Sequence, residues 1–164
     1  MHISSLSSLS DRLTATVFTR LQDPALLFVR GVWGWLFFKT GLGKLGNLAG
    51  TTEFFAGLGL PLPGVNALLV GALECVGGLL LLAGWSSRLV AMLLFGNMAV
   101  AYLTAHRDAF GSLADFTAAA PSAFLVASLV VMAFGPGRWS LDGLGRRASA
   151  AEPTGASLRE QPGR

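Results

Sequence analysis

Apolar residues gather in four long runs, set apart by short connections rich in glycine, proline, serine or charge. The second run, from about Val65 to Trp85 (VNALLVGALECVGGLLLLAGW), is the most apolar, and its one carboxylate, Glu74, sits close to the centre. About 20 apolar residues rising roughly 1.5 Å each cover the roughly 30 Å hydrocarbon core of a bilayer, so the run predicts a membrane-crossing helix. The first run extends from about Pro24 to Leu45 and opens on Asp23-Pro24, which predicts a helix start with aspartate as cap and proline in the first turn. The third, about Ser87 to Ala105, carries Asn97 near its middle and His106 at its exit. The fourth, about Thr117 to Phe134, is the least apolar at its start; it includes Pro121 and ends at Gly135-Pro136-Gly137. Pro121 falls in the first turn, where a missing N–H costs little.

The connections and ends complete the pattern. Ahead of the first run, Leu6, Leu9, Leu13, Val17 and Leu21 recur at helical spacing with Arg12 and Arg20 off the stripe, which predicts a short amphipathic helix on a membrane face over residues 1–22. Between the first two runs, Thr51 or Thr52 is placed to cap a short turn through Glu53, Phe54 and Phe55, and LGLPLPG returns the chain rigidly into the bilayer. From about residue 145 the composition turns to Ala, Gly, Pro and Arg, which predicts a disordered tail. The expected organisation is all-α: a four-transmembrane-helix bundle over residues 23–144, between an amphipathic or disordered N-terminal segment (1–22) and a disordered C-terminal tail (145–164).

Composition agrees with this reading. Of the 164 residues 52% are hydrophobic, mean hydropathy is +0.60, and only 13% are charged, against about 25% in ordinary soluble domains. The net charge of +3 is carried mainly by arginines near the ends. A nucleic-acid binder would need a basic patch with aromatics on a polar face, and the sequence has none. Cys75 is the single cysteine, so neither an internal disulfide nor a CxxC motif is available; a small core residue is its simplest reading. With four spans, Arg12, Arg20, Arg88, Arg138, Arg146 and Arg147 share one side, while Lys44 and Arg107 on the other are diluted by Glu53, Asp108 and Asp115. The positive-inside rule then puts both termini in the cytoplasm.

Candidate chemistry centres on Glu74. An ionised carboxylate at mid-membrane is costly unless paired, protonated or hydrated. Gly71, Glu74 and Gly78 share a helical face of small residues that lets another helix come close. On the first span Arg30, Gly34, Phe37, Gly41 and Lys44 step by fours and threes along one stripe, and Lys39 lies on the opposite face. Counted from the cytoplasmic end, Arg30 lies roughly 9 Å in, Glu74 and Asn97 roughly 15 Å, and Lys39 roughly 22 Å. The expected cluster is therefore Glu74 with Asn97 and, by the glycine-bearing stripe and bidentate geometry, Arg30. Lys39 must find a headgroup, a ligand or a partner subunit, and Lys44 is placed to snorkel. Lys44, Arg88 and His106 are interface candidates. No nucleophile–base pair is visible, and with His2 as the other histidine no histidine-based metal site can be assembled within this chain.

Several pieces together resemble the DoxX family of small bacterial four-helix membrane proteins: Arg30 followed by GLGKL (Gly41 to Leu45), EFFAGLGLPLPG (Glu53 to Gly64), GALECVGGLLLLAGWSSRL (Gly71 to Leu89), and GPGRWSLDGL (Gly135 to Leu144). They frame residues from about 25 to 144. The resemblance implies a four-helix membrane bundle in a bacterial inner membrane with a redox association: a subunit of, or partner to, a quinone-linked complex. On that reading Arg30, Lys39, Glu74 and Asn97 are ligand or proton-relay residues. Quinone is the cofactor implied, and the chain brings no haem or iron–sulfur ligands of its own. Lipid bilayer and other membrane subunits or further copies of the chain are the implied partners. A second reading makes the protein a structural accessory subunit, with the buried pair as a packing device. A third, a small-molecule or lipid transporter, has less behind it, since neither an inverted repeat nor an unwound span is visible.

Overall fold

The computed structural model describes the backbone of residues 3–151 and the side chains of residues 21–148. These form seven helices and a short 3-10 turn, with no strand among the described residues: α1 (Ile3–Gly46), α2 (Leu48–Gly57), α3 (Pro63–Ala83), α4 (Ser87–Ala105), the 3-10 turn (Arg107–Gly111), α5 (Leu113–Ala118), α6 (Pro121–Phe134) and α7 (Leu141–Ala151). Leu21–Gly46 of α1, α3 and α4 are each long and apolar enough to cross a membrane. α6 has 14 residues, so it rises about 21 Å and relies on α5 and the 3-10 turn to reach the same surface. Packing closes a ring: α1 on α3, α3 on α4, α4 on α6, and α6 back on α1. The outward faces remain apolar, with Phe28, Leu36, Leu69, Val76, Leu89 and Leu93 all exposed. Such a belt is stable against lipid: this is a membrane protein.

Four local expectations are revised. The first helix does not start at Asp23 but runs through Pro24. Proline forfeits one intrahelical bond, while the Asp23 carboxylate is engaged elsewhere, accepting the backbone N–H of Arg138 at 2.8 Å. Helical backbone from Ile3 thus continues into the first span, and the side chains of the predicted stripe from Leu6 to Val17 lie outside the described residues. In α2 the cap is Asn47, whose side chain accepts the N–H of Gly50 at 3.2 Å, and Thr51 instead donates back to the carbonyls of Lys44 and Asn47. The fourth span is interrupted: the chain extends at Ala119 (φ −64°, ψ 137°) between α5 and α6. At the C-terminal end α7 carries helix across residue 145 to Ala151, and 152–164 lie outside the described residues.

Two close approaches set the register of α1 against α3. A Cβ on Gly41 would overlap the backbone of Cys75, and one on Gly78 would overlap that of Phe38. Here glycine is required by space, as at tight crossings of membrane helices generally. Below this seam Phe37, Leu81, Val90, Leu94, Met98 and Val131 form the buried core.

The GPGRWSLD stretch closes the end of the bundle that carries α7. Arg30, 1% exposed, donates from Nη1 to the carbonyl of Pro136 (2.6 Å) and from Nη2 to that of Trp139 (2.8 Å). Asp142 accepts the N–H groups of Ser86 (2.8 Å) and Ser87 (3.0 Å), capping α4 from α7. Gly84, at φ +73°, leaves no room for a side chain, since a Cβ there would meet the Arg30 guanidinium and Ser140. Its positive φ suits glycine and ends α3 in the left-handed region.

Candidate functional site

Glu74 lies on the face of α3 that turns inward between Gly71 and Gly78, and it is 1% exposed. Its Oε2 pairs with the ammonium of Lys44 from α1. Its Oε1 accepts the Asn97 Nδ2–H from α4 at 2.8 Å. Three helices thus meet at one carboxylate. Burial of the acid is compensated by a cation and an amide donor, which offset the cost of taking a carboxylate out of water.

The sequence points to Arg30 as the cation for Glu74; the structure assigns that place to Lys44. The physical reason is register. With Gly41 against Cys75 and Gly34 against Gly78, antiparallel α1 brings about residue 40 level with Glu74. Arg30 is then about ten residues, or roughly 15 Å, further down, beside Gly84. Lys44, one turn above, reaches down to the acid rather than snorkelling to the headgroups. Both cations lie on the stripe identified from sequence, and the neighbouring helix chooses between them.

The remaining residues separate. Lys39 is exposed on the outer face, its Nζ 6.0 Å from the centre of the Trp35 ring, a cation–π distance; it does not join the cluster. Arg88 is exposed at the α7 end beside Gly135. His106 is half-buried, next to Tyr102 (ring centres 6.2 Å apart), and belongs to the same cavity as Glu74.

A small polar pocket at Glu74 and Asn97 is expected from the sequence; its large apolar extension is not. The cavity's volume is about 290 Å³. Lys44, Glu74 and Asn97 form its polar floor. Its walls are apolar: Phe54 and Phe55 from α2 with Leu58 just past its end, Met98 and Ala101 from α4, and Pro121 and Phe124 from α6. Thr40, Asn66, Thr104 and His106 add isolated polar groups. The only available sequence signals were the paired aromatics of α2 and the proline of α6, each of which also reads as interfacial bulk. A cavity of this kind, apolar with a few convergent polar atoms at its end, suits an organic molecule with one hydrogen-bonding head. Among the described residues no three His, Cys, Asp or Glu side chains come together as metal ligands would. Cys75 is a free, half-buried thiol on α3, at the close approach of Gly41.

Residues 25–107 match the family model DoxX. Over 67 residues the chain is 37% identical to CatD of Bacillus subtilis (strain 168), a protein named as a candidate oxidoreductase; the stretch covers 41% of this chain and 48% of that relative. The matched part thus spans about half the relative's length. No solved structure matches.

Proposed function

This chain belongs to the DoxX family, and from that premise we propose that it is the membrane partner of a quinone-linked oxidoreductase, holding a quinone-type headgroup in the Glu74 cavity. The observation that carries the proposal is the joining of an ammonium, a carboxylate and an amide at the floor of an otherwise apolar cavity. A quinone ring is an apolar disc whose carbonyl oxygens need donors, and its reduced form needs acceptors. Lys44 supplies the first and Glu74 the second, and Asn97 holds the acid in place. The relative named as a candidate oxidoreductase supports a redox setting. When bound, the quinone would supply the electron-accepting chemistry; the chain's part is to orient the ring, with Lys44 as donor to a carbonyl oxygen and the Glu74 carboxylate as acceptor for the O–H of the reduced form. The membrane is proposed to be the bacterial inner membrane with the α7 end cytoplasmic, because Arg88, Arg138, Arg146 and Arg147 are all exposed at that end.

The test is saturable binding of a short-chain benzoquinone to the protein in nanodiscs, followed through quenching of tryptophan fluorescence. Wild type is expected to bind, and Glu74→Gln and Lys44→Met to bind at least about tenfold more weakly, the loss of one charge-assisted hydrogen bond. Unsaturable binding by wild type, or unchanged affinity in both variants, overturns the proposal. The accessory-subunit reading keeps one observation in its favour: the same three side chains tie α1, α3 and α4 together. It predicts loss of assembly without loss of turnover per complex.

A further inference from the structure

We infer that the Glu74 cavity is loaded from one face only, the face opposite α7, and that it takes an amphiphile whose polar end travels inward first. The two halves of the bundle are built differently. Every residue lining the cavity comes from the half near the α2 and α5 connections: the end of α1 from Thr40, the start of α3 up to Glu74, the end of α4 from Asn97, and the start of α6 up to Phe124. The core that fills the other half comes from the complementary parts of the same helices, with Phe37, Leu81, Leu94 and Val131 each at most 1% exposed. Phe37 meets Phe124 edge to face, ring centres 4.7 Å apart, directly between the two. Beneath that core the Arg30 clamp on Pro136 and Trp139 and the Asp142 cap on α4 tie the last loop across the end of the bundle. A molecule coming from the α7 side would have to break a packed core and a buried arginine's hydrogen bonds.

From the opposite face the way is shorter and softer. His106, just past the end of α4, lies nine positions beyond Asn97, about 13 Å along the axis, and Glu74 lies eight positions beyond Asn66 on α3, about 12 Å. The cavity is thus one ring and a short tail deep. Phe54 and Val100, on α2 and α4, line it while more than half exposed, so its wall reaches the outer surface of this half. With the only charged contacts at the floor and apolar walls above, a ligand's head must go in ahead of its apolar part. His106 stands on the route between floor and surface.

The inference deepens the proposed quinone site, but its access arm stands without a ligand. In a Cys75→Ser background, Ala101→Cys places a thiol on the cavity wall and Thr104→Cys one turn nearer the mouth. A tag after α7 identifies the orientation of the protein in proteoliposomes. A membrane-impermeant, charged methanethiosulfonate is then applied to each orientation. Both thiols are expected to react at least tenfold faster when the face opposite the tag is outside, Thr104→Cys faster than Ala101→Cys. Equal rates from both faces, faster reaction from the tag face, or no reaction at either position in protein that still folds by circular dichroism overturns the inference. A short-chain benzoquinone that slows Ala101→Cys supports ligand and route together. One-sided reaction without protection keeps the route and removes the quinone from it.

Discussion

If Lys44 rather than Arg30 neutralises Glu74, the two residues must be energetically coupled and Arg30 must not be. Consider Glu74→Gln, Lys44→Met and the double variant. Removing one member of a buried pair leaves the other charge uncompensated, a loss of about 3–5 kcal/mol where the site is dry. Here the Lys44 side chain retains 29% of its exposure and its ammonium lines the cavity, so water relieves part of that penalty, and the lower bound of about 3 kcal/mol is the better expectation. Glutamine also keeps an oxygen for the Asn97 amide, which preserves a neutral hydrogen bond of about 1 kcal/mol. The net expectation is about 2 kcal/mol for Glu74→Gln and about 3 kcal/mol for Lys44→Met, since the latter strands a carboxylate that is 1% exposed. The double variant strands no charge and should lose no more than the worse single variant, a coupling of about 2 kcal/mol. Reversible unfolding in mixed micelles, read by circular dichroism, measures all three. A second cycle of Arg30→Met with Glu74→Gln should be additive within about 0.5 kcal/mol. Coupling of Glu74 to Arg30, or its absence between Glu74 and Lys44, would refute the register on which the site rests.

Three further outcomes follow from the same geometry. Gly41→Val puts a branched side chain against the Cys75 backbone, which cannot move aside, and should cost more than about 3 kcal/mol, seen as lost folded yield in detergent. Arg30→Lys retains the charge but replaces the two-pronged grip on Pro136 and Trp139 with a single ammonium; it should destabilise by about 1–3 kcal/mol while benzoquinone affinity stays unchanged, measured by unfolding and fluorescence quenching on the same samples. Lys39→Ala removes an exposed cation lying over Trp35 and should shift stability by less than about 0.5–1 kcal/mol, with no effect on binding.

Much of this architecture is legible in the amino-acid order because the bilayer reduces the choices. Run length alone places α3 and α4, and the small residues around Glu74 mark the face on which another helix closes. Asn97 was identifiable as a partner because an amide and an acid at equal depth on adjacent spans have few other places to go. The cation was harder. Arg30 and Lys44 lie on one stripe of α1, and nothing in that stripe says how far α1 slides along α3; Gly41 against Cys75 decides it, and that contact spans more than thirty residues of sequence. The Asp23-Pro24 signal failed for a related reason. A cap signal is local, and here the carboxylate is used by a backbone N–H more than a hundred residues away. The cavity's walls left only an ambiguous trace, since the aromatics of α2 and the proline of α6 serve equally well on a lipid-facing surface.

Whether the triad of Lys44, Glu74 and Asn97 serves packing or binding can be argued from what else fixes the bundle. A buried ion pair retained only for register would be the element that distinguishes the right alignment of α1 and α3 from slipped ones. In this protein that alignment is already enforced by glycines: a slip of one turn in either direction would drive a side chain into the space that Gly41 leaves for Cys75 or Gly78 leaves for Phe38. The far end is pinned separately by Arg30 and Asp142. The triad adds little to a register so determined. It also sits where a packing device is least effective, with the ammonium bordering a cavity instead of sealed in the core that begins one turn below. Apolar residues of similar volume would hold the helices as well at lower desolvation cost. A charged floor open to a space of about 290 Å³ is wasteful as a strut and useful as a receptor for a polar head, which favours the binding reading over the accessory one.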